Sequence, residues 1–234
     1  MARALIFGGG GVTHGVDPNL EIYLMNLLPT NPKIGYIGLA NGDNSERIRR
    51  CEMRFTTLGA KFSYLPQRAT ASEALIWIKN LNAIYIGGGN TNTLLQSWRA
   101  TGIDQVMREA AASSILLSGV SAGAMCWFEQ AVWDGGGTQF QPLNGLGVFK
   151  GSCCVHCTTE PERYTYFKNA IRYGELGEGF AIGDGAGLYI ENDTILSAIT
   201  ARENTGVWRA SLKNGDIILD QIDQTFLSSY NRES

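Results

Sequence analysis

Short apolar runs alternate with amphipathic stretches along the first two thirds of the chain, and this alternation is typical of an α/β fold. Runs rich in Ile, Leu, Val or aromatic residues predict buried strands at residues 4–7, 33–39, 61–65, 83–86, 114–120 and 152–156. The amphipathic stretches between these runs predict helices. We therefore expect a mostly parallel sheet that is flanked by helices.

Helix start and stop signals fall between the predicted strands. Pro18 is predicted to open one helix, and Ser45 opens a second helix that Gly59 can close with a left-handed residue. Thr70 and Glu73 have the spacing of a capping box. These signals support helices between the strands.

After residue 180 the sequence changes to short strands that are separated by turn pairs, at residues 192–193 and 214–215. These pairs predict antiparallel strands at the edge of the sheet. The chain contains no internal repeat and no linker-like segment, so residues 1–234 are predicted to form a single domain.

Composition narrows the possible classes of function. The net charge of -3 comes from interspersed acidic and basic residues, which leaves no basic stripe for a nucleic acid. No segment approaches the ~20 apolar residues of a membrane span, and the start of the sequence lacks the pattern of a signal peptide. We therefore expect neither a nucleic acid nor a membrane as partner, and a cytoplasmic location.

The cysteines and histidines give little support for a metal site. Of five cysteines only Cys154 and Cys157 form a Cys-x-x-Cys pair, and the chain has two histidines. A single pair is more typical of strand packing than of a metal centre. The prediction is that no metal is bound.

The strongest chemical signal is the sequence Gly-Val-Ser-Ala-Gly at residues 119–123. It lies between a predicted strand and a stretch at residues 124–128 that is predicted to be helical, as in a nucleophile elbow. The tight turn would hold the Ser121 hydroxyl clear of the backbone, and the N–H group of Ala122 could face an oxyanion. The alternative is an ordinary glycine-rich connection.

A serine mechanism needs a base, and the chain offers His14 and His156. His156 is the better candidate, because it ends an apolar strand and is therefore expected at the same sheet edge as Ser121. His14 follows a glycine cluster at residues 8–11 and is either a group on the substrate side or an ordinary surface residue.

A third group must orient the imidazole, and two acids lie near suitable turns. Asp184 follows a strand-like segment, whereas Asp134 precedes three glycines. The sequence spacing leaves the choice open. For each acid the alternative is a turn aspartate that caps its own backbone.

Residues 87–91, with the sequence Gly-Gly-Gly-Asn-Thr, follow a predicted strand and open a helix. Their amides could bind an anion or supply a second oxyanion donor, which makes Gly88 and Gly89 candidates for an oxyanion hole. The glycine cluster at residues 8–11 has the same context. Neither segment matches a nucleotide-binding motif.

Several ordered motifs together resemble a known family: residues 86–91, 119–124, 126–128, 143–147, the segment around His156, and 184–186. The family is peptidase E, serine exopeptidases that are related to cyanophycinase and have a fold like that of class I glutamine amidotransferases. The resemblance covers most of the chain. It implies that Ser121 is the nucleophile and His156 its base, with an oxyanion amide at Ala122 and another in the glycine loop.

The resemblance also bears on the acids and on the substrate. Asp184 stands where the family often has Glu, and Asp134 matches another acidic position linked to activity, so both remain catalytic candidates. Family members prefer dipeptides that begin with aspartate. A guanidinium suits the substrate carboxylate, and Arg163, at the start of a predicted helix, is the candidate; the alternative is a solvated helix charge. Asn90 is the second predicted substrate-binding residue.

The predicted function is therefore that of a serine exopeptidase or dipeptidase, which hydrolyses small peptides by acyl transfer without a cofactor. One alternative is a cyanophycinase-like or other small-amide hydrolase with a wider cleft. Another is a catalytically silent module that binds an anion or peptide through its glycine loops. The expected partner is a small peptide substrate, and the expected assembly is a monomer or a homodimer.

Overall fold

The computed structural model describes residues 1–137 and 139–227. Its strands in these ranges are β1 (Arg3–Phe7), β2 (Lys33–Ile37), β3 (Lys61–Tyr64), β4 (Ala83–Ile86), β5 (Leu116–Val120), β6 (Phe128–Trp133), β7 (Gln141–Asn144), β8 (Phe149–Val155), β9 (Gly179–Ile182), β10 (Ala186–Glu191), β11 (Thr194–Thr200), β12 (Val207–Lys213), β13 (Asp216–Gln221) and β14 (Gln224–Phe226). Its helices are α1 (Gly11–His14), α2 (Asn19–Asn26), α3 (Ser45–Thr57), α4 (Ala71–Ile78), α5 (Thr91–Thr101), α6 (Ile103–Ala111), α7 (Ala122–Met125) and α8 (Pro161–Arg172), with a 3-10 turn at Leu39–Asn41.

The strands form two sheets. The first has the order β14-β11-β10-β1-β5-β4-β2-β3, in which β1, β5, β4, β2 and β3 are parallel and β10 and β11 are antiparallel additions. The second has the order β13-β12-β9-β8-β6-β7, with a parallel centre formed by β9, β8 and β6. The expected α/β fold with a mostly parallel sheet is confirmed for the first sheet.

Helices cover both faces of the first sheet. Successive side chains of a strand point to opposite faces, so a strand that is apolar throughout needs a covering layer on each face. In β1, Leu5 and Phe7 pack in the cluster that includes residues of α1, α2 and α3. Ala4 and Ile6 pack in the cluster that includes residues of α4, α5 and α6. The layers therefore follow from the continuous apolar runs of the sequence.

The helix predicted at residues 124–128 is confirmed only for residues 124–125. The helix after the elbow is the single turn α7, and Phe128 begins strand β6. Phe128 is fully buried and contacts the rings of Phe149 and Phe180 in neighbouring strands. A short apolar run fits either structure, and here the packing of the second sheet decides it.

The predicted hairpins are confirmed. Asn192 and Asp193 have positive φ angles between β10 and β11, as have Asn214 and Gly215 between β12 and β13. The first hairpin extends the first sheet beside β1, whereas the second forms an edge of the second sheet. The capping box of Thr70 and Glu73 is also present at the start of α4.

The two sheets share a hydrophobic core. One cluster of buried side chains contains Ile86 from β4 in the first sheet together with Phe149 from β8 in the second. The assignment of residues 1–234 to one domain stays a prediction, which this shared core supports. No helix in the described ranges is long and apolar enough to cross a membrane.

Candidate active site

The turn after β5 has the geometry of a nucleophile elbow. Ser121 adopts φ 55° and ψ -113°, a strained conformation for a residue with a side chain, and its N–H group donates to the carbonyl of Phe7 at 3.0 Å. A Cβ atom at Gly119 would overlap the carbonyl oxygen of Gly123, and one at Gly123 would overlap that of Ile86. Both glycines are therefore needed to close the turn.

A continuous chain of polar contacts leads from this serine to an acid. Oγ of Ser121 lies 2.9 Å from Nε2 of His156, and Nδ1 of His156 lies 2.5 Å from Oδ1 of Asp184. The hydroxyl of Thr159 donates to the other carboxylate oxygen, Oδ2, at 2.7 Å. With its proton on Nδ1, the imidazole donates to Asp184 and leaves Nε2 free to accept the serine proton.

The serine and the histidine come from different sheets. Ser121 follows β5 of the first sheet, whereas His156 follows β8 of the second, with φ 57°. The expectation that both residues lie at the edge of one sheet is therefore wrong, although the expected proximity holds. The carboxyl ends of β5 and β8 meet where Oγ of Ser121 contacts Nε2 of His156, and the candidate site lies at this junction.

The glycine cluster at residues 8–11 makes room for the imidazole–carboxylate pair. A Cβ atom at Gly9 would overlap Oδ1 of Asp184 and would lie 2.8 Å from Nδ1 of His156. Gly9 also forms a β-bridge with Asp184, and its carbonyl accepts the N–H group of Gly185 at 2.9 Å. The absent side chain at residue 9 thus lets the first sheet approach the acid.

The surroundings of Asp184 favour its charged form. Burial raises the pKa of Asp184, but hydrogen bonds from His156 and Thr159, with the nearby charges of His156 and Arg202, outweigh burial and hold the pKa below its ordinary value. Arg202 is itself fixed by an ion pair with Asp17 at 2.6 Å. The carboxylate is therefore ionised at neutral pH and can stabilise an imidazolium.

The serine opens into a cavity of about 230 Å³ that also contains Met125. Helices and loops that connect strands of the first sheet supply what we call the first wall, formed by His14, Arg47, Gly88, Gly89 and Thr91. Elements of the second sheet supply the second wall, formed by Trp133, Asp134, His156, Glu160 and Arg163. The cavity therefore spans the junction of the two sheets.

The glycine loop after β4 lies beside the serine. A Cβ atom at Gly88 would be 3.3 Å from Cβ of Ser121. Within the described ranges, the N–H groups of Gly88, Gly89 and Ala122 donate to no protein acceptor. Asn90 has a different place from the one predicted: its side chain caps α5 by accepting the N–H group of Thr93 at 3.0 Å, and it does not line the cavity.

The second candidate acid, Asp134, contacts other groups than His156. Its Oδ1 accepts the N–H group of Gly136 at 3.0 Å, which is the turn arrangement considered as the alternative. Its Oδ2 lies 3.9 Å from Nη2 of Arg163. Asp184, and not Asp134, is therefore the acid that contacts the imidazole.

Arg163 lies in the first turn of α8, as expected, but it is 5% exposed, so the alternative of a solvated helix charge is wrong. Its Nε donates to Glu160 at 2.7 Å, and its guanidinium stacks over the ring of Phe140 at 5.3 Å. These contacts hold the guanidinium in the second wall.

Sequence reasoning missed Arg47, Glu160 and Thr159. Glu160 and Thr159 lie a few residues from His156 and Arg163, so the segment between those two carried a local signal. No sequence signal pointed to Arg47, because only the placement of α3 beside the glycine loop brings Arg47 to the cavity.

Cys154 and Cys157, the single Cys-x-x-Cys pair, are both buried in the hydrophobic cluster beneath α8. Burial raises the pKa of the Cys157 thiol to about 12. In the described part of the chain, no group of three or more His, Cys, Asp or Glu side chains is placed to hold a metal ion.

The chain is similar to known peptidases. The model of peptidase family S51 matches residues 4–198. A Bacillus subtilis (strain 168) protein named uncharacterized peptidase YgaJ is 32% identical over 220 residues, which are 93% of this chain and 95% of that protein.

Solved structures share the fold. A candidate peptidase E from Listeria monocytogenes EGD-e has a TM-score of 0.61 at 17% identity and covers 84% of this chain and 97% of its own. A peptidase from an acI-B1 Actinobacterium has a TM-score of 0.62 at 18% identity and covers 94% of this chain and 97% of its own.

The family match and the relative define the class of protein as a serine-type peptidase, which is a hydrolase. More narrowly, the chain belongs to peptidase family S51, the peptidase E family.

Proposed function

We propose that this peptidase is a serine exopeptidase that hydrolyses dipeptides with an N-terminal aspartate, using Ser121, His156 and Asp184 as its catalytic triad. The observation that carries the proposal is the chain of contacts at 2.9 Å and 2.5 Å that joins these side chains at the wall of the cavity. A module that only binds peptides would not need this arrangement.

The proposed mechanism is acyl transfer. His156 takes the proton of Ser121 while Oγ attacks the peptide carbonyl, and the imidazolium that forms is stabilised by Asp184. The N–H groups of Ala122 and of Gly88 or Gly89 stabilise the oxyanion. His156 then gives its proton to the leaving amine, and water releases the acyl group by the reverse sequence.

The second wall supports a preference for aspartate. Arg163 supplies a cation for the side-chain carboxylate of the substrate, and Asp134 and Glu160 supply carboxylates for its free ammonium group. The volume of about 230 Å³ is below the roughly 300–1,000 Å³ of sites for drug-sized ligands, which favours a small peptide over a polymer.

Two further assignments belong to the proposal. The nucleophile elbow after a central parallel strand supports a fold like that of class I glutamine amidotransferases. Five buried cysteines without disulfide partners support a cytoplasmic, reducing location.

The proposal is tested by hydrolysis of Asp-Leu, Glu-Leu, Ala-Leu and β-Asp-Leu by the wild type, Ser121→Ala and Arg163→Gln. We expect Asp-Leu to be the best substrate, Ser121→Ala to lose cleavage of every peptide, and Arg163→Gln to lose the preference for Asp-Leu. Arg172→Gln is the matched control, because Arg172 is an exposed residue in the last turn of the same helix.

The outcomes separate the parts of the proposal. Serine-dependent cleavage without a preference for aspartate would keep the triad and remove the role of Arg163. Cleavage that persists in Ser121→Ala would exclude Ser121 as the nucleophile.

A further inference from the structure

The cavity contains a second guanidinium, that of Arg47, for which the proposed mechanism has no use. Arg47 lies in the first turn of α3, where Asn44 caps the helix by accepting the N–H group of Arg47 at 3.0 Å. Its Nη1 donates to the carbonyl of Gly88 at 3.3 Å. The side chain is therefore half-buried and held against the loop that flanks Ser121.

The two guanidinium groups differ in their partners. Arg163 contacts two carboxylates, Glu160 at 2.7 Å and Asp134 at 3.9 Å. Arg47 forms no ion pair within residues 1–137 and 139–227. Its guanidinium donates instead to a neutral backbone carbonyl, that of Gly88. Since a guanidinium has five N–H donors, Arg47 keeps donors and a full charge for a ligand.

The walls of the cavity are consequently opposite in charge. The first wall contains Arg47 and no carboxylate, whereas the second wall contains two carboxylates against the single cation of Arg163. A free dipeptide has the same polarity, with an ammonium group at one end and a carboxylate at the other. Charge complementarity orients such a substrate with its ammonium group at the second wall.

We propose that Arg47 binds the C-terminal carboxylate of a free dipeptide and thereby restricts the enzyme to substrates that end one residue after the scissile bond. This inference rests on the proposed function. Gly88 lies next to Ser121 and accepts a hydrogen bond from Arg47 through its carbonyl, so a carboxylate bound by Arg47 would lie on the Gly88 side of the scissile bond, and the cavity of about 230 Å³ limits the peptide to a short length.

The test compares Asp-Leu with Asp-Leu-amide, which keeps the scissile bond and removes the C-terminal charge. We expect the wild type to favour Asp-Leu by about 10-fold or more in kcat/KM, the size of one charge-assisted hydrogen bond. Arg47→Gln should lower kcat/KM for Asp-Leu by a similar factor, mainly through KM, and leave the amide within about twofold. Arg49→Gln, an exposed arginine on the same helix, is the matched control and should behave as the wild type.

Two results would overturn the inference. The first is a wild type that cleaves both substrates equally. The second is an equal loss on both substrates in Arg47→Gln, which would show that Arg47 acts only through the peptide group of Gly88.

Calorimetry with the inactive Ser121→Ala protein keeps the test independent of catalysis. Asp-Leu should bind Ser121→Ala more tightly than its amide does, and the difference should vanish in Ser121→Ala/Arg47→Gln. A difference that persists in the double variant contradicts the role of Arg47. If the wild type cleaves no peptide but this binding pattern holds, the proposed function fails while the carboxylate site stands.

Discussion

Asp184→Asn removes one charge from the proposed triad and preserves the size of the side chain. Oδ2 of Asp184 accepts a hydrogen bond from the hydroxyl of Thr159, and a hydroxyl can accept a hydrogen bond as well as donate one. The new amide group can therefore donate to Thr159 while its oxygen keeps the hydrogen bond from Nδ1 of His156. We expect the imidazole to keep its orientation and tautomer, so that the loss of activity reports the charge alone.

The magnitude follows from Coulomb's law. When His156 takes the serine proton, the centre of the imidazolium charge lies about 4 Å from the carboxylate, which is worth about 4 kcal/mol at an effective dielectric constant of about 20. The hydrogen bond that the asparagine keeps with His156 still stabilises the imidazolium by about 1 kcal/mol, which reduces the loss. The remaining ~3 kcal/mol corresponds to a fall of about 100-fold in kcat.

The assay is the steady-state hydrolysis of Asp-Leu, and the control is Asp134→Asn. This variant makes the same chemical change at a carboxylate of the same cavity that does not contact His156. We expect it to raise KM with a small change in kcat, because Asp134 is placed to contact substrate. An equal fall in kcat in both variants, or an unchanged kcat in Asp184→Asn, would refute the assignment of Asp184.

Two more predictions concern groups near the site. Thr159→Val should lower kcat about fivefold, since ~1 kcal/mol of support for Asp184 is lost, whereas Thr158→Val, at the neighbouring exposed threonine, should not. The lowered pKa of Asp184 adds stability above the ordinary carboxyl range, and this stability is lost as the pH falls through the lowered pKa. Urea titrations at decreasing pH should therefore show that acid unfolding of Thr159→Val begins at a higher pH than that of the wild type. The same dependence of stability on acidic pH in both proteins would contradict this. Burial raises the pKa of Glu21 to about 7, although the N–H group of Val12 donates to it at 2.8 Å. The folded chain therefore keeps a proton that the unfolded chain loses between the ordinary pKa of 4.5 and about 7, so wild-type stability should fall as the pH rises through this window and level off above it. Glu21→Gln should remove this slope and gain up to about 3 kcal/mol at pH 8 in urea unfolding, and parallel slopes would exclude Glu21 as its source.

The local parts of the site could be predicted from the sequence. The elbow depends on residues 119–123, whose two glycines are required by backbone contacts next to the turn. His156 was preferred to His14 because it ends an apolar strand, and that position brings it to Ser121 although the two strands belong to different sheets. The choice between Asp184 and Asp134 could not be made, because both follow or precede turns and only the three-dimensional placement of β9 brings one of them to the imidazole.

The non-local parts could not be predicted. The second sheet was missed because β6 and β7 give short, ambiguous patterns, and a strand such as β8 looks the same in either sheet. Arg47 was missed because its approach to the cavity depends on the strand order of the first sheet, where β4 lies between β5 and β2. Strand order is set by tertiary packing and leaves no mark in the periodicity of one segment.

The division of the proposed triad between two sheets explains why the glycine cluster after β1 matters. Ser121 and His156 both have φ angles near 55°, and such strained positions persist only where the surrounding structure fixes them. The shared core fixes the two sheets relative to each other, and the bridge between Gly9 and Asp184 fixes the acid against the first sheet. A side chain at Gly9 would overlap Oδ1 of Asp184 and crowd Nδ1 of His156, and would therefore disturb the contact between them. The contact that aligns the proposed triad therefore lies in a loop whose sequence suggested an anion site, and the absence of a side chain at Gly9 lets the two sheets approach closely enough for the proton transfer that we propose.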